Sequence, residues 1–233
     1  MNIIIPLGGL GKRFSEFGYR LPKPLIRLFF KPIIFWLLDN LSVSKNDNVY
    51  LICNKFLKKY RFEDEVKKKY PNYNIIYLDA DTRGAAETIY IGTQNIKNDG
   101  NTILLDGDTF YGIDVLALYR LSKNKNMVFC FKQSDERPVY SYVGFDEGKK
   151  INKIAEKQRI TEYANTGCYA FEKLSELRTY CKKIIDNDLR FGNEFYMSRV
   201  ISEMITDKKK FVANVINESD FDVLTPTLKK EFT

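Results

Sequence analysis

Short apolar runs alternate with longer amphipathic segments over the first half of the chain. Each run is short enough to be a buried strand, and the apolar positions between the runs recur with the spacing of a helix. A sequence that alternates strands and helices in this way predicts an α/β fold, in which a mostly parallel twisted sheet is flanked by helices. The predicted strands are residues 3–5, 49–53, 74–78 and 102–105, and the predicted helices are residues 33–41, 55–69 and 84–96.

From about residue 126 the pattern changes, because predicted strands follow one another with fewer helices between them. Asp146-Glu147-Gly148 separates two of these strands and is typical of a hairpin turn. We see no internal repeat, low-complexity segment or linker, so we expect one domain over residues 1–233. Its two halves, at about 1–125 and 126–233, differ in strand pattern. The later strands are predicted at residues 128–131, 140–145, 151–155, 165–171 and 211–215, and the later helices at residues 174–185 and 194–205.

The first predicted strand opens into a glycine-rich turn that is followed at once by two cations. Glycines allow backbone N–H groups to approach a ligand closely, and adjacent N–H groups in a turn form an anion-binding concavity. A third cation comes ten residues later, between two prolines that stiffen the chain. This combination predicts a polyphosphate site. Its predicted residues are Leu7, Gly8, Gly9, Gly11 and Lys12, with Arg13 and Lys23 as further cations.

Two familiar glycine loops do not fit this turn. The Walker A pattern needs a glycine five residues before the Gly-Lys pair and Ser or Thr after it, but Pro6 and Arg13 occupy those places. The dinucleotide-binding fingerprint needs a third glycine where Phe14 stands. The remaining alternative is a tight turn between strand and helix with incidental lysines.

The order of motifs resembles that of the nucleotidyltransferases that activate sugar phosphates and related small phosphates. A Gly-x-Gly-x-Arg loop is followed by Pro-Lys-Pro-Leu at residues 22–25 and by a Lys-Pro helix start at Lys31-Pro32. The resemblance extends from residue 2 to about residue 226. It implies a Rossmann-like fold related to the GT-A fold. The half at about 1–125 would bind nucleotide, and the half at about 126–233 would form an acceptor lobe.

The same resemblance implies a magnesium site. Asp108, at the end of a predicted strand, corresponds to the family's Gly-Asp metal ligand. Asp222 corresponds to the aspartate of an Asp-x-Gly-Thr-Pro segment in which Leu224 replaces the glycine, and Asp220 is a close competitor for this role. Carboxylates are suitable because Mg²⁺ prefers hard oxygen ligands. A turn acid at the end of a strand is the ordinary alternative for Asp108.

Further segments resemble the family's base and acceptor sites. Small residues after Thr82-Arg83 would leave room for a nucleobase, although a glycine that starts a closely packed helix would give the same pattern. Lys157 would neutralise the attacking phosphate, a role suited to a lysine point charge. The proline that usually follows this position is Gln158 here. The implied residues are Gly84 and Ala85 at the base, and Gly144, Glu156, Asn165, Thr166 and Glu194 at the acceptor.

The resemblance implies transfer of a nucleoside monophosphate from a triphosphate to a small phosphorylated acceptor, with release of pyrophosphate. It favours CTP as the donor and L-glutamine phosphate as the acceptor. A sugar-1-phosphate nucleotidyltransferase using UTP, dTTP or GTP is the main alternative. A GT-A-type glycosyltransferase is another, because Asp106-Gly107-Asp108 matches an Asp-x-Asp motif. A nucleotide-binding regulator would bind the triphosphate without turnover.

Composition narrows the remaining possibilities. Lys and Arg number 37 against 30 Asp and Glu, so part of the net charge of +7 could attract an anionic substrate. No nucleic-acid-binding motif accompanies this charge. The chain has no histidine, which argues against a zinc site or a Cys–His pair and favours buried, reduced thiols. With neither a signal peptide nor a long apolar run, we expect a soluble cytoplasmic protein without a membrane partner. The oligomeric state is open, a homodimer included.

Overall fold

The computed structural model describes residues 1–9, 11–123 and 125–223, without the side chains of Lys12 and Arg13. Its central feature is a nine-stranded sheet. The strands are β1 (Asn2–Leu7), β2 (Arg27–Leu28), β3 (Lys31–Pro32), β4 (Asn48–Asn54), β5 (Asn74–Leu78), β6 (Thr102–Leu105), β7 (Thr109–Tyr111), β8 (Met127–Lys132), β9 (Ser141–Phe145), β10 (Ile151–Glu156), β11 (Tyr163–Phe171), β12 (Val212–Ile216) and β13 (Phe221–Val223). The α-helices are α1 (Lys12–Glu16), α2 (Ile33–Leu38), α3 (Phe62–Lys69), α4 (Ala85–Gly92), α5 (Val115–Leu121), α6 (Leu174–Asp186) and α7 (Met197–Thr206).

The first half of the sheet is parallel. Strand β1 pairs in parallel with both β4 and β6, and β4 pairs in parallel with β5. Ile3, Ile4 and Ile5 are completely buried because helices cover both faces of this part of the sheet. A parallel strand buried on both faces has a continuous apolar sequence, which is the pattern found in β1.

The second half of the sheet is mixed. Strand β11 pairs antiparallel with β6 and carries the sheet into β9, β10 and β8, while β12 pairs in parallel with β8. The fold class predicted from the sequence is therefore confirmed: helices flank a mostly parallel sheet that continues into a mixed-strand lobe.

Alternation along β1 divides the apolar core between the two faces of the sheet. Ile3 and Ile5 pack with side chains from α2, α3 and α5, whereas Ile4 packs with side chains from α4, α6 and α7. Successive side chains of a strand point to opposite faces, so a single strand serves both layers. Each such buried side chain contributes roughly 1.5–3 kcal/mol. The four cysteines are buried and unpaired, as the sequence predicted, and burial raises the pKa of each thiol.

Several predicted boundaries differ from the structure. The helix predicted at 55–69 is two elements, a 3₁₀ helix at Lys55–Tyr60 and α3, separated by Arg61 in the left-handed region at φ 55°. Helix α7 begins at Met197 instead of Glu194, because the backbone of Phe195 is hydrogen-bonded to Arg83 and Ala86 at the start of α4. The elements that were not predicted are α1, β2, β3, β7, α5 and β13. Strands β7 and β13 have three residues each and pair with each other across more than a hundred positions, so neither has a clear local signal.

Strand register places two predicted motifs side by side. Ile4 of β1 lies opposite Leu104 of β6, so the residues after both strands emerge at the same edge of the sheet. A Cβ added to Gly107 would lie 2.3 Å from Cδ2 of Leu7, which shows how closely the two turns pack. In parallel α/β sheets ligands bind beyond the carboxyl ends of the strands. Within the described residues, no helix is both long enough and apolar enough to span a membrane.

Candidate active site

A cavity of about 630 Å³ lies at the carboxyl ends of β1 and β6. It collects segments that are far apart, so its walls come from both halves of the chain. The lining comprises residues 6–9, 11 and 14 of the first loop, Lys23 and Pro24, residues 82–85 with Thr88, residues 106–108, residues 193–194, and Val223.

The glycine loop owes its shape to close packing. A Cβ added to Gly8 would lie 2.4 Å from Oγ1 of Thr88, and Gly11 has a φ of +63°, which favours glycine. Asn54 holds the loop in place, because its Nδ2 donates to the carbonyl of Gly8 (3.3 Å) and to Oδ1 of Asp81 (2.7 Å). Leu7, Gly8, Gly9 and Gly11 of this loop all line the cavity. The anion-binding role stays a prediction, and the side chains of Lys12 and Arg13 lie outside the described atoms.

Lys23 reaches the cavity from a short 3₁₀ helix, Lys23–Leu25, that starts between two prolines. Its Nζ forms an ion pair with Oδ2 of Asp108 and lies 5.0 Å from the ring centroid of Phe14. Both charged side chains are about three-quarters buried, at 28% and 24% exposure. The structure thus brings the predicted phosphate-binding lysine and the predicted metal ligand into direct contact.

Asp106 is a second cavity carboxylate, which the sequence interpretation had used only as part of an Asp-x-Asp pattern. Burial raises the pKa of Asp106, and the neighbouring charges of Asp108 and Glu156 raise it further, while Lys23 opposes them. Its side chain fits only because Gly167, at φ +81°, has no Cβ, since an added one would lie 2.5 Å from Oδ2 of Asp106. This environment therefore favours the protonated, uncharged form of the Asp106 carboxyl group.

The donor set of this wall fits a hard divalent cation. Asp106 and Asp108 present carboxylate oxygens to the same cavity, and such oxygens are what Mg²⁺ prefers. Among the described residues, no group of three or more His, Cys, Asp or Glu is arranged to hold a metal. That absence is compatible with magnesium, because this ion keeps several waters and substrate phosphates in its shell.

The two candidates for a second metal ligand lie in different surroundings. Asp220 accepts hydrogen bonds from the backbone N–H and from Nδ2 of Asn217, both at 3.0 Å, and lines a separate cavity beside α5. Asp222 is exposed in β13 opposite Phe110 of β7, the strand that starts directly after Asp108. Val223, the next residue of β13, lines the main cavity. The metal role of Asp222 stays a prediction, and residues 224–226 of its motif lie outside the described residues.

The start of α4 forms the wall predicted to hold a base. Gly84 has a φ of +127°, and an added Cβ would lie 2.7 Å from both N and O of the Phe195 backbone. The N–H of Phe195 donates to the carbonyl of Arg83 (2.7 Å), and the N–H of Ala86 donates to the carbonyl of Phe195 (3.1 Å). Gly84 starts a tightly packed helix and, with Ala85, lines the cavity, and the base-binding role of both residues stays a prediction.

The predicted acceptor residues divide into two groups. Glu194 lines the cavity. Glu156 lies beside it, close enough to influence Asp106, and its Oε2 accepts from the hydroxyls of Ser141 (2.9 Å) and Ser198 (2.7 Å). Asn165 extends the network by donating to Ser141 (2.8 Å). The sequence interpretation missed both serines, because they come from β9 and α7 and carry no motif.

The remaining predicted acceptor residues lie away from the cavity lining. Lys157, at φ 48°, donates from Nζ to the phenolic oxygen of Tyr196 (3.1 Å), and Nζ lies 5.1 Å from that ring's centroid. Thr166 is buried and donates to the carbonyl of Phe129. Gly144 lies in β9, where an added Cβ would meet Oδ1 of Asn152 at 3.0 Å. Substrate contacts of these three residues stay predictions.

Comparison with known proteins defines the class. The family model described as nucleotidyl transferase matches residues 2–218, which is nearly the whole chain. This match covers every residue that lines the cavity except Val223, including the glycine loop and the Lys23–Asp108 pair. The chain belongs to the nucleotidyl transferase family.

Sequence identity to individual relatives is low. The chain is 28% identical over 183 residues to a D-glycero-alpha-D-manno-heptose 1-phosphate guanylyltransferase of Campylobacter jejuni subsp. jejuni serotype O:2, and this match covers 74% of the chain and 76% of that protein. Other curated relatives are longer, and the chain spans 55% and 44% of the length of two of them.

Solved structures share the fold. A nucleoside-diphosphate-sugar pyrophosphorylase from Vibrio cholerae RC9 superposes with a TM-score of 0.84 at 18% identity, covering 99% of this chain and 98% of that one. An inositol-1-phosphate CTP transferase from T. maritima superposes with a TM-score of 0.70 at 12% identity, covering 97% and 90%. At these identities the likeness establishes the fold alone.

Proposed function

We propose that this protein transfers a nucleoside monophosphate from a nucleoside triphosphate to a small phosphorylated acceptor and releases pyrophosphate. CTP is the favoured donor. The acceptor that fits the sequence resemblance best is L-glutamine phosphate, which would make the protein a CTP:phosphoglutamine cytidylyltransferase of capsule phosphoramidate synthesis. Membership of the nucleotidyl transferase family supports the reaction type. The choice of base and acceptor rests on the sequence resemblance.

The observation that carries the proposal is that four structural features line the same cavity. Glycine-loop backbone, the Lys23–Asp108 pair, the start of α4 and Glu194 all line it. A triphosphate along the loop, a base against α4 and an acceptor near Glu194 would fill these walls together. Holding both reactants in one pocket supplies much of the catalytic effect in group transfer.

On the donor side, the loop N–H groups and Arg13 would hold the β- and γ-phosphates. Lys23 would lie beside the α-phosphate, where negative charge develops as the bond to the leaving pyrophosphate breaks. Its ion pair with Asp108 keeps the ammonium in the cavity before substrate arrives. Preorganised charge of this kind stabilises the transition state without reorganisation during the reaction.

On the acceptor side, an oxygen of the acceptor's phosphate would attack the α-phosphorus in line and form the new phosphoanhydride. This oxygen is already anionic, so the reaction needs no general base, which suits a chain without histidine. Glu156 would accept hydrogen bonds from the body of the acceptor, held in place by Ser141 and Ser198. Lys157 would neutralise the attacking phosphate.

Asp108, with Asp106 beside it and Asp222 as a further candidate, would hold the magnesium ion. When bound, the ion would act as a Lewis acid that neutralises charge on the phosphates and aligns the α-phosphate. Two carboxyl groups on cavity-lining residues, the ligand type that Mg²⁺ prefers, support a cation there.

A sugar-1-phosphate nucleotidyltransferase is the second candidate. The guanylyltransferase from Campylobacter jejuni is similar over 74% of the chain, and its name specifies a sugar 1-phosphate as the substrate. Both candidates share the chemistry at phosphorus and differ in base and acceptor.

A matrix of donors and acceptors separates them. Purified protein with Mg²⁺ is given CTP, UTP, dTTP or GTP together with L-glutamine phosphate or a sugar 1-phosphate, and pyrophosphate is measured. We expect release with CTP and L-glutamine phosphate. Release confined to a sugar 1-phosphate with another nucleotide would establish the second candidate instead.

A further inference from the structure

The wall at the start of α4 carries a chain of hydroxyl hydrogen bonds that the proposed reaction does not use. Oγ1 of Thr82 lies 2.6 Å from Oγ1 of Thr88, and Oγ1 of Thr88 donates to the carbonyl of Gly84 (3.1 Å). Thr88 is buried and Thr82 is half-buried, and both line the cavity.

The direction of this chain follows from the chemistry of its end. A carbonyl can only accept, so the single hydroxyl proton of Thr88 is used on Gly84. The proton in the contact between the two hydroxyls must then come from Thr82. Both protons are thereby used inside the protein, so the hydroxyl oxygen of Thr82, a cavity-lining residue, can only accept a hydrogen bond from a ligand.

Reversing the chain would require Thr88 to give up its bond to Gly84. Only then could Thr82 point its own proton into the cavity. The cost is about one intramolecular hydrogen bond, which corresponds to roughly a tenfold change in an equilibrium constant. The wall is therefore biased toward accepting a hydrogen bond from a ligand.

Arg83 places donors beside this acceptor. Its Nε donates to Oε1 of Glu87 (3.0 Å), and its guanidinium lies 4.9 Å from the ring centroid of Phe195. The pair with Glu87 and the contact with the ring restrain the guanidinium of Arg83, a cavity-lining residue. An acceptor next to a cationic donor matches an edge that offers an amino group beside carbonyl or ring-nitrogen acceptors.

Among pyrimidines, cytosine has this edge, whereas uracil and thymine present a carbonyl where cytosine has its amino group. A carbonyl facing the lone pairs of Thr82 would be repelled unless the hydroxyl chain reversed. We infer that Thr82, oriented by Thr88, selects a cytosine nucleotide over a uracil or thymine nucleotide by accepting from its exocyclic amino group. This inference rests on the proposed function only in placing the base against α4.

Equilibrium binding of CTP and of UTP, each with Mg²⁺, tests the inference without an acceptor. Isothermal titration of the wild-type chain should give a lower Kd for CTP than for UTP. Thr82→Val keeps the shape but removes the oxygen, so the preference for CTP should fall about tenfold. Thr82→Ser retains the hydroxyl and should restore it, which separates loss of the oxygen from damage to the fold.

Thr88→Val gives the sharpest result. Without an internal acceptor, the proton of Thr82 is free to turn into the cavity, so binding of UTP should improve relative to CTP. Thr93→Val is the matched control, because Thr93 also donates to the carbonyl four residues earlier in α4 (Ile89, 2.7 Å) but is not part of the cavity lining among the described residues. Its CTP-to-UTP ratio should equal that of the wild type.

The inference is overturned if wild-type protein binds UTP as tightly as CTP, if it binds neither, or if the Thr82→Val and Thr88→Val variants keep the wild-type ratio. Failure of the proposed function has a different signature. In that case CTP binds with the Thr82-dependent preference, but no combination of triphosphate and phosphorylated acceptor releases pyrophosphate.

Discussion

Lys23 and Asp108 form an ion pair that joins the proline-flanked turn after the glycine loop to the carboxyl end of β6. The two residues are 85 positions apart in the chain and meet because β1 and β6 are neighbours in the sheet. In the proposed reaction Lys23 would bind a phosphate, and Asp108 would bind a cation. The contact is therefore the centre of the proposed chemistry.

Removing either member should abolish turnover while leaving the fold intact. Lys23→Ala removes a charge that would stabilise the transition state, and Asp108→Ala removes a proposed metal ligand. We expect each to lower kcat by at least about 100-fold, the scale found when one preorganised electrostatic group is lost. Circular dichroism should show native secondary structure in both. Lys182→Ala, which breaks the exposed pair with Asp186, is the control and should retain full activity. Near-normal pyrophosphate release by both site variants would contradict the assignment.

The serines behind Glu156 should affect the acceptor and not the nucleotide. Ser198→Ala removes the 2.7 Å hydrogen bond to Oε2 of Glu156, leaving that carboxylate less well oriented. We predict a KM for the acceptor that rises about tenfold, as expected for a hydrogen bond to a charged group, with an unchanged Kd for the nucleotide. Ser202→Ala on the same helix is the matched control. An equal rise in both constants would indicate a general structural defect instead.

Gly84 should be intolerant of any side chain. Its φ of +127° is strained for other residues, and the new Cβ would meet backbone atoms of Phe195 that cannot move independently. Gly84→Ala should therefore lower the free energy of unfolding by at least about 2 kcal/mol, measured by urea denaturation. Gly9→Ala, where an added Cβ meets nothing within 4 Å, should change it little. Equal stability of the two variants would show that Phe195 is not held against the start of α4 as described.

A pH-dependent contribution to stability is expected from Asp47, whose side chain is only 4% exposed. Burial alone would raise the pKa of Asp47, but hydrogen bonds from Ser44 and from the N-terminal ammonium lower it overall. A carboxyl with a lowered pKa stabilises the fold above the ordinary aspartate pKa of ~4, and this stabilisation is lost as the pH falls through the folded-state pKa. Asp47→Asn should thus cost about 1–3 kcal/mol at pH 7 and much less at pH 3. Asp186→Asn, in an exposed pair, should match the wild type at both values. A cost for Asp47→Asn that is independent of pH would refute the linkage.

The parts of the fold that sequence predicts well are those with a local cause. The apolar run of β1 and the glycines after it are determined by burial on both faces and by close packing against Thr88, and both are visible as residue types. The pairing of β7 with β13 has no such cause. Three-residue strands contribute little alone, and their partner lies more than a hundred residues away.

The residues of the candidate site also divide into those that the sequence predicts and those that it does not. Lys23 and Asp108 belong to motifs with fixed spacing, so sequence could name them. Ser141 and Ser198 act only because β9 and α7 bring them to one carboxylate oxygen. The orientation of Thr82 depends on a hydrogen-bond direction set by the carbonyl of Gly84, which no residue pattern reveals.

The most direct test of the central claim follows the fate of the α-phosphate. Purified protein is incubated with Mg²⁺, L-glutamine phosphate and CTP labelled at the α-phosphorus or, separately, at the γ-phosphorus. We predict that the α-label appears in a new product with the acceptor, that the γ-label appears in pyrophosphate, and that Lys23→Ala prevents both. The assignment as a nucleotidyltransferase would be contradicted if neither CTP nor any other triphosphate transferred its α-label to a phosphorylated acceptor. It would also be contradicted if transfer occurred without release of pyrophosphate.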